Sequence, residues 1–389
     1  MNILFQEVLQ NLDSKNLRRR MRLVDGPQGR EIVLDGKKVL NFCSNNYLGL
    51  ADDPRLRQAA IDSLIKEGVG SGASRLVCGN MSAHEQLERR LAEFKRTESC
   101  LVFNTGYMAN VGVISSVCER GDIIFSDKLN HASIIDGILL SQADFKRYPH
   151  NDTDTLAEWL KSSTKYRRRL IVTDSVFSMD GDVAPLTRIV ELAQAHDAMV
   201  MVDEAHAFGV LGANGRGAVE ELDLEGKIAI QMGTLSKAAG VFGAYVCASR
   251  TLTEFLLNRT RSFIYTTALP PSIAAAAVAA VDIIEHEPAR RRLLKRNAEF
   301  VRTELGAMGF DTLNSVTPII PIMVKESPLA LSFSQKLLEQ GIFVQAIRPP
   351  TVPANTARLR VTVMATHTPD DLERFLNAVR QVGKELCLI

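Results

Sequence analysis

Short apolar runs alternate, along the middle of the chain, with stretches whose apolar residues recur at helical spacing. The runs Cys100–Phe103, Asp122–Phe125, Leu170–Thr173, Met199–Val202, Ile228–Met232 and Ala244–Ala248 are apolar nearly throughout, which marks strands buried on both faces. Between them, Gly106–Val117, Ser133–Ser141, Thr153–Ser162 and Leu186–His196 carry the period of amphipathic helices. The alternation predicts an α/β fold, a mostly parallel central sheet with helices on both faces. Ligands of such sheets bind beyond the carboxyl ends of the strands.

The texture changes after Pro270-Pro271. A helical stretch, AAAAVAAVDIIEH, leads to the basic run ARRRLLKR on a further helix. Strand PIIPIMVK, helix LALSFSQKLLEQ, strands IFVQAI and ARLRVTV and a closing helix follow. This pattern predicts a smaller α+β domain over residues 273–389 and a large α/β domain over 46–272. Residues 1–45 predict an N-terminal helix with a basic end, Arg18-Arg19-Arg20, and a turn at Asp25-Gly26-Pro27. The short strand of KKVLNFCSNNYLGL comes next and breaks into an Asn-rich loop.

Composition narrows the function. Of 389 residues, 46% are hydrophobic and 23% charged, so the chain can bury a large core and is not disordered. Lys and Arg number 46 against 45 Asp and Glu, a net charge of +1, which argues against coating nucleic acid or an anionic membrane. The run Arg290–Arg296 reads as a solvated helix face. Six scattered cysteines form no CxxC pair, so no metal is expected and a reducing compartment fits. The alanine-rich run Ile273–Val281 is too short to cross a bilayer, and the N-terminus lacks an uninterrupted apolar signal core. A cytoplasmic protein is expected. The glycine-rich stretch Gly68–Gly72 does not open a helix directly after a strand, which excludes a dinucleotide fingerprint.

The unusual residues cluster at strand exits. Lys237, in TLSKAAG after the strand IAIQM, is a lysine among small residues; such an amine can form a Schiff base, although a solvated loop lysine has the same look. Asp203 leaves the strand of MVMVDEAH, and a carboxylate there is costly unless paired. It suits a pyridinium nitrogen, with His206 three residues on; a helix cap and a surface histidine are the plain alternative. Gly106 and Tyr107 open a helix that can receive phosphate or merely be capped. His131 precedes another helix, as a stacking or a capping side chain. Ser178 follows the strand LIVT in a polar turn. Each reading is weak alone. Together they supply the parts that pyridoxal 5′-phosphate (PLP) requires.

The motifs LNFCSNNYLGL, GSGASRLVCGN, NTGYMANVG, NHASIIDG, DSVFSMDGD, VDEAHAFGVLGANGRG, GTLSKAAGVFGAY and RPPTVPANTARLRVTV closely resemble those of the α-oxoamine synthases, PLP-dependent transferases of fold type I. The resemblance covers nearly the whole chain. It implies Lys237 as the Schiff-base lysine, Asp203 on the pyridine nitrogen, His206 on the ring hydroxyl and His131 on the ring face, with Lys237, His131 and Asp203 catalytic. It further implies Ser178 on the cofactor and Thr234, Gly106 and Tyr107 at its phosphate. Thr266 and Thr267 would reach the phosphate of a partner subunit, making a homodimer. Arg360 would hold the amino-acid carboxylate, and Arg18 and Thr351 would contact substrate. The segment AIRPPTVP and the early LRRR are most similar to members that condense L-alanine with a pimeloyl thioester, carried by coenzyme A or an acyl carrier protein, in biotin synthesis. Members acting on glycine or serine remain the alternative within the family. A non-catalytic partner subunit is the alternative outside it, and would be expected to lack the lysine.

Overall fold

The structure, a computed structural model, describes residues 2–15 and 17–389. The chain forms two compact units. One comprises Leu50–Ser178 and Val183–Arg292; the other comprises Met1–Gly49, Met179–Asp182 and Leu293–Ile389.

The first unit is built on a seven-stranded sheet. Its order is Ser99–Phe103, Ala244–Ala248, Ile230–Thr234, Met199–Asp203, Arg169–Asp174, Ile123–Asp127 and Asp144–Tyr148. The last five of these are mutually parallel, and Ala244–Ala248 runs antiparallel to both its neighbours. Every apolar run predicted from the sequence is a strand of this sheet. The edge strand Asp144–Tyr148 lacked that signal, because DFKRY buries only Tyr148. A charged strand with one neighbour is stable at an edge and deters pairing with other chains.

Register aligns the strand exits. Asp174 pairs with Asp203, and Asp203 pairs with Met232. Residues level with one another in a parallel sheet point to the same face, so both carboxylates emerge together. Helices Gly106–Val117 and Ala132–Ser141 follow two of these strands. They approach closely at Gly137, where a Cβ would lie 3.0 Å from the Asn110 carbonyl and 3.1 Å from Ile114 Cβ. This approach brings Asn110 within reach of Ser133.

Glu204, next to Asp203, turns into the interior instead. It is fully buried, pairs with buried Lys95 and accepts the Val219 amide at 3.0 Å. Lys95 also donates to the Arg216 carbonyl. The basic run near residue 290 is structural in part, which corrects its reading as a solvated face. Arg291 is buried and donates to the carbonyls of Ile284 and Ala213, and Arg290 pairs with Asp53 and Glu287. Arg292, Lys295 and Arg296 are exposed.

The second unit holds a three-stranded antiparallel sheet, ordered Ile319–Lys325, Ala357–Thr362, Gln345–Ile347. A four-stranded sheet joins Val24–Asp25, Glu31–Leu34, Lys37–Asn41 and Ile342–Phe343. The single strand expected for IFVQAI is thus two short strands in different sheets. The N-terminal helix, Asn2–Ser14, stops before the basic run, so Arg18–Arg20 do not form its last turn as expected. Phe42 stacks on His367 (4.2 Å between centroids) and on Phe375 (4.3 Å). His367 Nδ1 accepts the Met364 amide, and Nε2 faces the Asn41 carbonyl.

Two stability predictions follow from these buried groups. Lys95→Met leaves buried Glu204 without its cation, and should cost about 3–5 kcal/mol, read as a lower denaturant midpoint; an unchanged midpoint would show that the pair contributes nothing. Burial pushes the His367 pKa down to about 4. The folded unit therefore binds fewer protons there than the unfolded chain, whose histidine titrates near about 6.5. This contribution to stability is complete above the unfolded value and is lost as pH falls toward 4. Thermal midpoints measured from pH 7 to pH 4.5 should fall less steeply in His367→Asn than in the wild-type protein.

Candidate active site

A cavity of about 160 Å³ opens at the carboxyl ends of the parallel strands. Gly106, Tyr107, His131, Ser178, Asp203, His206, Thr234 and Lys237 all line it. Residues up to 131 positions apart in sequence are brought together because each stands at a strand exit or on the helix start that follows one.

Lys237 lies in the cavity wall, half-buried, with Nζ 2.9 Å from His206 Nε2. His206 itself is buried. Asp203 is 4% exposed and accepts the Asn110 side-chain amide at 2.8 Å and the Ala205 backbone amide at 2.8 Å. Both of these donors are neutral, and a buried carboxylate on such donors favours a nearby cation. Asp174, its neighbour in register, accepts the His131 amide at 2.9 Å. Burial, reinforced by the charge of Asp203, drives the Asp174 pKa well up, so that Asp174 tends to hold a proton.

His131 caps helix Ala132–Ser141: its Nδ1 accepts the Ser133 amide at 3.3 Å and meets the Ser133 hydroxyl at 2.7 Å. Its ring is therefore fixed while part of it remains accessible. At the start of helix Gly106–Val117, Thr105 Oγ1 accepts the Met108 amide. The first amides of the helix, at Gly106 and Tyr107, face no carbonyl of a preceding turn. A Cβ at Gly106 would meet nothing closer than Thr234 Cβ at 3.8 Å and Met232 Cε at 4.0 Å. Packing within the protein thus does not demand glycine, and its absent side chain leaves the helix end open to the cavity. Tyr107 donates its hydroxyl to Asp136, a bond that raises the phenol pKa. The Thr234 hydroxyl donates to the Gly243 carbonyl at 3.0 Å and lies 2.7 Å from the exposed Ser236 hydroxyl.

The other expected residues do not line this cavity. Thr266 and Thr267 border a much smaller cavity of the same unit, with Arg75, Asn104 and Phe263. Thr267 bridges to Ser74, and its carbonyl accepts from Asn104. Arg360 is in the second unit, on strand Ala357–Thr362, buried, with two guanidinium nitrogens 3.1 Å from Asn45 Oδ1. Arg18 and Thr351 also belong to that unit and are exposed, and Arg18 pairs with Asp13 at 2.5 Å. Asn110, Ser133, Asp174 and Ser236 line the cavity without having been singled out from the sequence. All four stand inside motifs quoted above, Asn110 within NTGYMANVG, but a polar residue one turn into an apolar helix does not by itself mark a functional position. No metal-ligating cluster occurs among the described residues.

The chain matches the family of class I and II aminotransferases over residues 37–379. It is 53% identical over 383 residues to an 8-amino-7-oxononanoate synthase of Geobacter sulfurreducens, which covers 98% of each chain. Among solved structures it resembles serine palmitoyltransferase with PLP as the internal aldimine. There the TM-score is 0.94 and the identity 34%, over 99% of this chain and 98% of that one. It also resembles 8-amino-7-oxononanoate synthase of Francisella tularensis, with TM-score 0.78 and 32% identity over 89% and 98% of the two chains. With the lysine, the buried aspartate and the open helix start in one cavity, the chain belongs to the class I and II aminotransferase family and, within it, to the α-oxoamine synthases.

Proposed function

We propose that this protein condenses L-alanine with a pimeloyl thioester, with loss of carbon dioxide, to give 8-amino-7-oxononanoate in biotin synthesis, using PLP. The observation that carries the proposal is identity of about half over the full length to relatives named for that product. Serine palmitoyltransferases share the fold at a higher TM-score but at only 34% identity, so similarity of backbone does not choose the substrate.

The cavity fits the cofactor on its own terms. The carboxylate of Asp203 accepts from two neutral amides, and Gly106 leaves a helix start open. When bound, PLP supplies an electron sink for a carbanion at the amino acid's α-carbon. Asp203 stabilises a protonated ring nitrogen, because a close carboxylate favours the charged form. Lys237 would hold the cofactor through Nζ, and its free amine would serve as the general base for the α-proton. His206 orients that amine and takes the ring hydroxyl. His131 covers the ring face, and Ser178 contacts the cofactor. The phosphate is assigned to the amides of Gly106 and Tyr107 with Thr234. Arg360, whose fork matches a carboxylate in two bonds, is assigned the amino acid; Arg18 and Thr351 are assigned to the acyl substrate.

We further propose a homodimer. Ile65, Val69, Val77 and Tyr265 are apolar or aromatic and 72–82% exposed, and they stand near Ser74 and Thr267 in sequence. Exposed apolar groups gathered in this way mark an interaction face, and Thr266 and Thr267 would serve the partner's phosphate from it. Six free thiols fit a reducing, cytoplasmic setting.

The purified protein should be yellow, Lys237→Ala should lose the absorbance of the lysine-bound cofactor, and a matrix of alanine, glycine and serine against short and long acyl thioesters should give the alanine–pimeloyl product. A main product built from glycine or serine would overturn the substrate assignment while leaving the cofactor assignment standing. Asp203→Asn should still take up PLP but exchange the α-proton of alanine about 10²–10³-fold more slowly, the usual loss when a preorganised electrostatic group is removed. Exchange at the wild-type rate would remove Asp203 from the chemistry.

A further inference from the structure

A chain of hydrogen bonds runs from Asp203 to His131 through two residues that carry no assigned role. Asn110 Nδ2 lies 2.8 Å from Asp203 Oδ2 and 3.0 Å from Ser133 Oγ. Ser133 Oγ lies 2.7 Å from His131 Nδ1. Asn110 is 1% exposed and Ser133 is fully buried, so water does not offer these groups alternative partners.

The directions at Asn110 follow from the carboxylate, and the direction at His131 from the Ser133 backbone amide that donates to Nδ1. A carboxylate only accepts, so the Asn110 amide must present its NH2 to Asp203. The structure leaves Asn110 Oδ1 buried without a partner rather than turn it toward the carboxylate. The second hydrogen of the same NH2 goes to Ser133 Oγ. With its oxygen accepting from Asn110, Ser133 can point its own hydrogen at His131 Nδ1. The Ser133 backbone amide also donates there, at 3.3 Å. An Nδ1 receiving two donors cannot carry a proton itself, so the imidazole proton resides on Nε2, which meets no protein acceptor among the described residues.

We infer that Asn110 and Ser133 are positioning residues that link the Asp203 carboxylate to His131, fixing its imidazole as the neutral tautomer with its proton on Nε2. The consequence for the site is specific. The ring assigned to cover the cofactor presents no positive charge to the pyridinium, and its remaining N–H is reserved for substrate. The electrostatic surroundings agree: burial lowers the His131 pKa, Asp203 and Asp136 act against this, and Lys237 acts with it. Asp174 also faces this segment, through the His131 backbone amide.

The inference rests on the role proposed above for His131, but it can be tested apart from it. Nitrogen-15 NMR of histidine-labelled protein, with and without PLP, reads the tautomer directly, and His131→Gln identifies the signal. Wild-type protein should show an unprotonated Nδ1. Ser133→Ala should give a mixture of tautomers and raise the proton affinity of His131 about fivefold, the worth of one hydrogen bond made to the neutral form. Ser133→Thr, which keeps the hydroxyl, should restore the wild-type signal, and Asn110→Leu should behave like Ser133→Ala. A protonated Nδ1 in the wild type, or a Ser133→Ala signal identical to it, would overturn the relay even if the protein binds PLP. Failure to take up PLP with the tautomer as described would instead overturn the cofactor reading.

Discussion

A carboxylate buried at the end of a parallel strand is an unfavourable thing to build, and the geometry of the first unit is arranged around one. Asp203 is surrounded by protein, its two donors are uncharged amides, and its neighbour in register is another aspartate. In a medium of low dielectric two such charges cannot both be sustained cheaply. The structure resolves this by burying Asp174 enough to favour its protonated form and by leaving Asp203 a cavity into which a cation can be set. Register makes this possible: a slip of one residue between the strands would turn one of the two carboxylates to the other face of the sheet.

The next residue shows the same alternation at work. Asp203 and Glu204 are adjacent, yet they serve different sides of the sheet. Glu204 meets Lys95 and the Val219 amide in the interior, whereas Asp203 faces the cavity. One side chain locks the strand exit to the rest of the unit and the other works in the space beyond it. The rigidity of the first fixes the strand exit from which the second reaches the cavity.

Much of this was legible in the sequence because the strands are buried on both faces. Such strands read as unbroken apolar runs, so each polar residue that ends one stands out, and Asp203 and Lys237 declared themselves in this way. The boundary of the strand carrying Thr234 was harder. It begins at Ile230 rather than Ile228, because Ile228 and Ala229 are apolar without being paired in the ladder. Asp144–Tyr148 was invisible since its solvent-facing residues outweigh its single buried one. Asn110 sits in the quoted motif NTGYMANVG, but its role was not legible there: it comes from a carboxylate 93 positions away and from a neighbouring helix that brings Ser133 to it.

Charge counting inside the cavity explains why these neutral links matter. Burial and the neighbouring Asp203 push the Asp174 pKa up, and the same cavity holds Asp203 and Lys237. A cofactor bringing a ring cation and a phosphate finds a counter-charge for the first and helix amides for the second. A protonated His131 would add a second positive charge over the same ring and compete with Asp203 for the same electrostatic purpose. Holding that imidazole neutral by a buried amide and a hydroxyl uses no further charge. The positive charge at the ring nitrogen then has Asp203 as its own counter-ion, at the place where electron density must be drawn during catalysis.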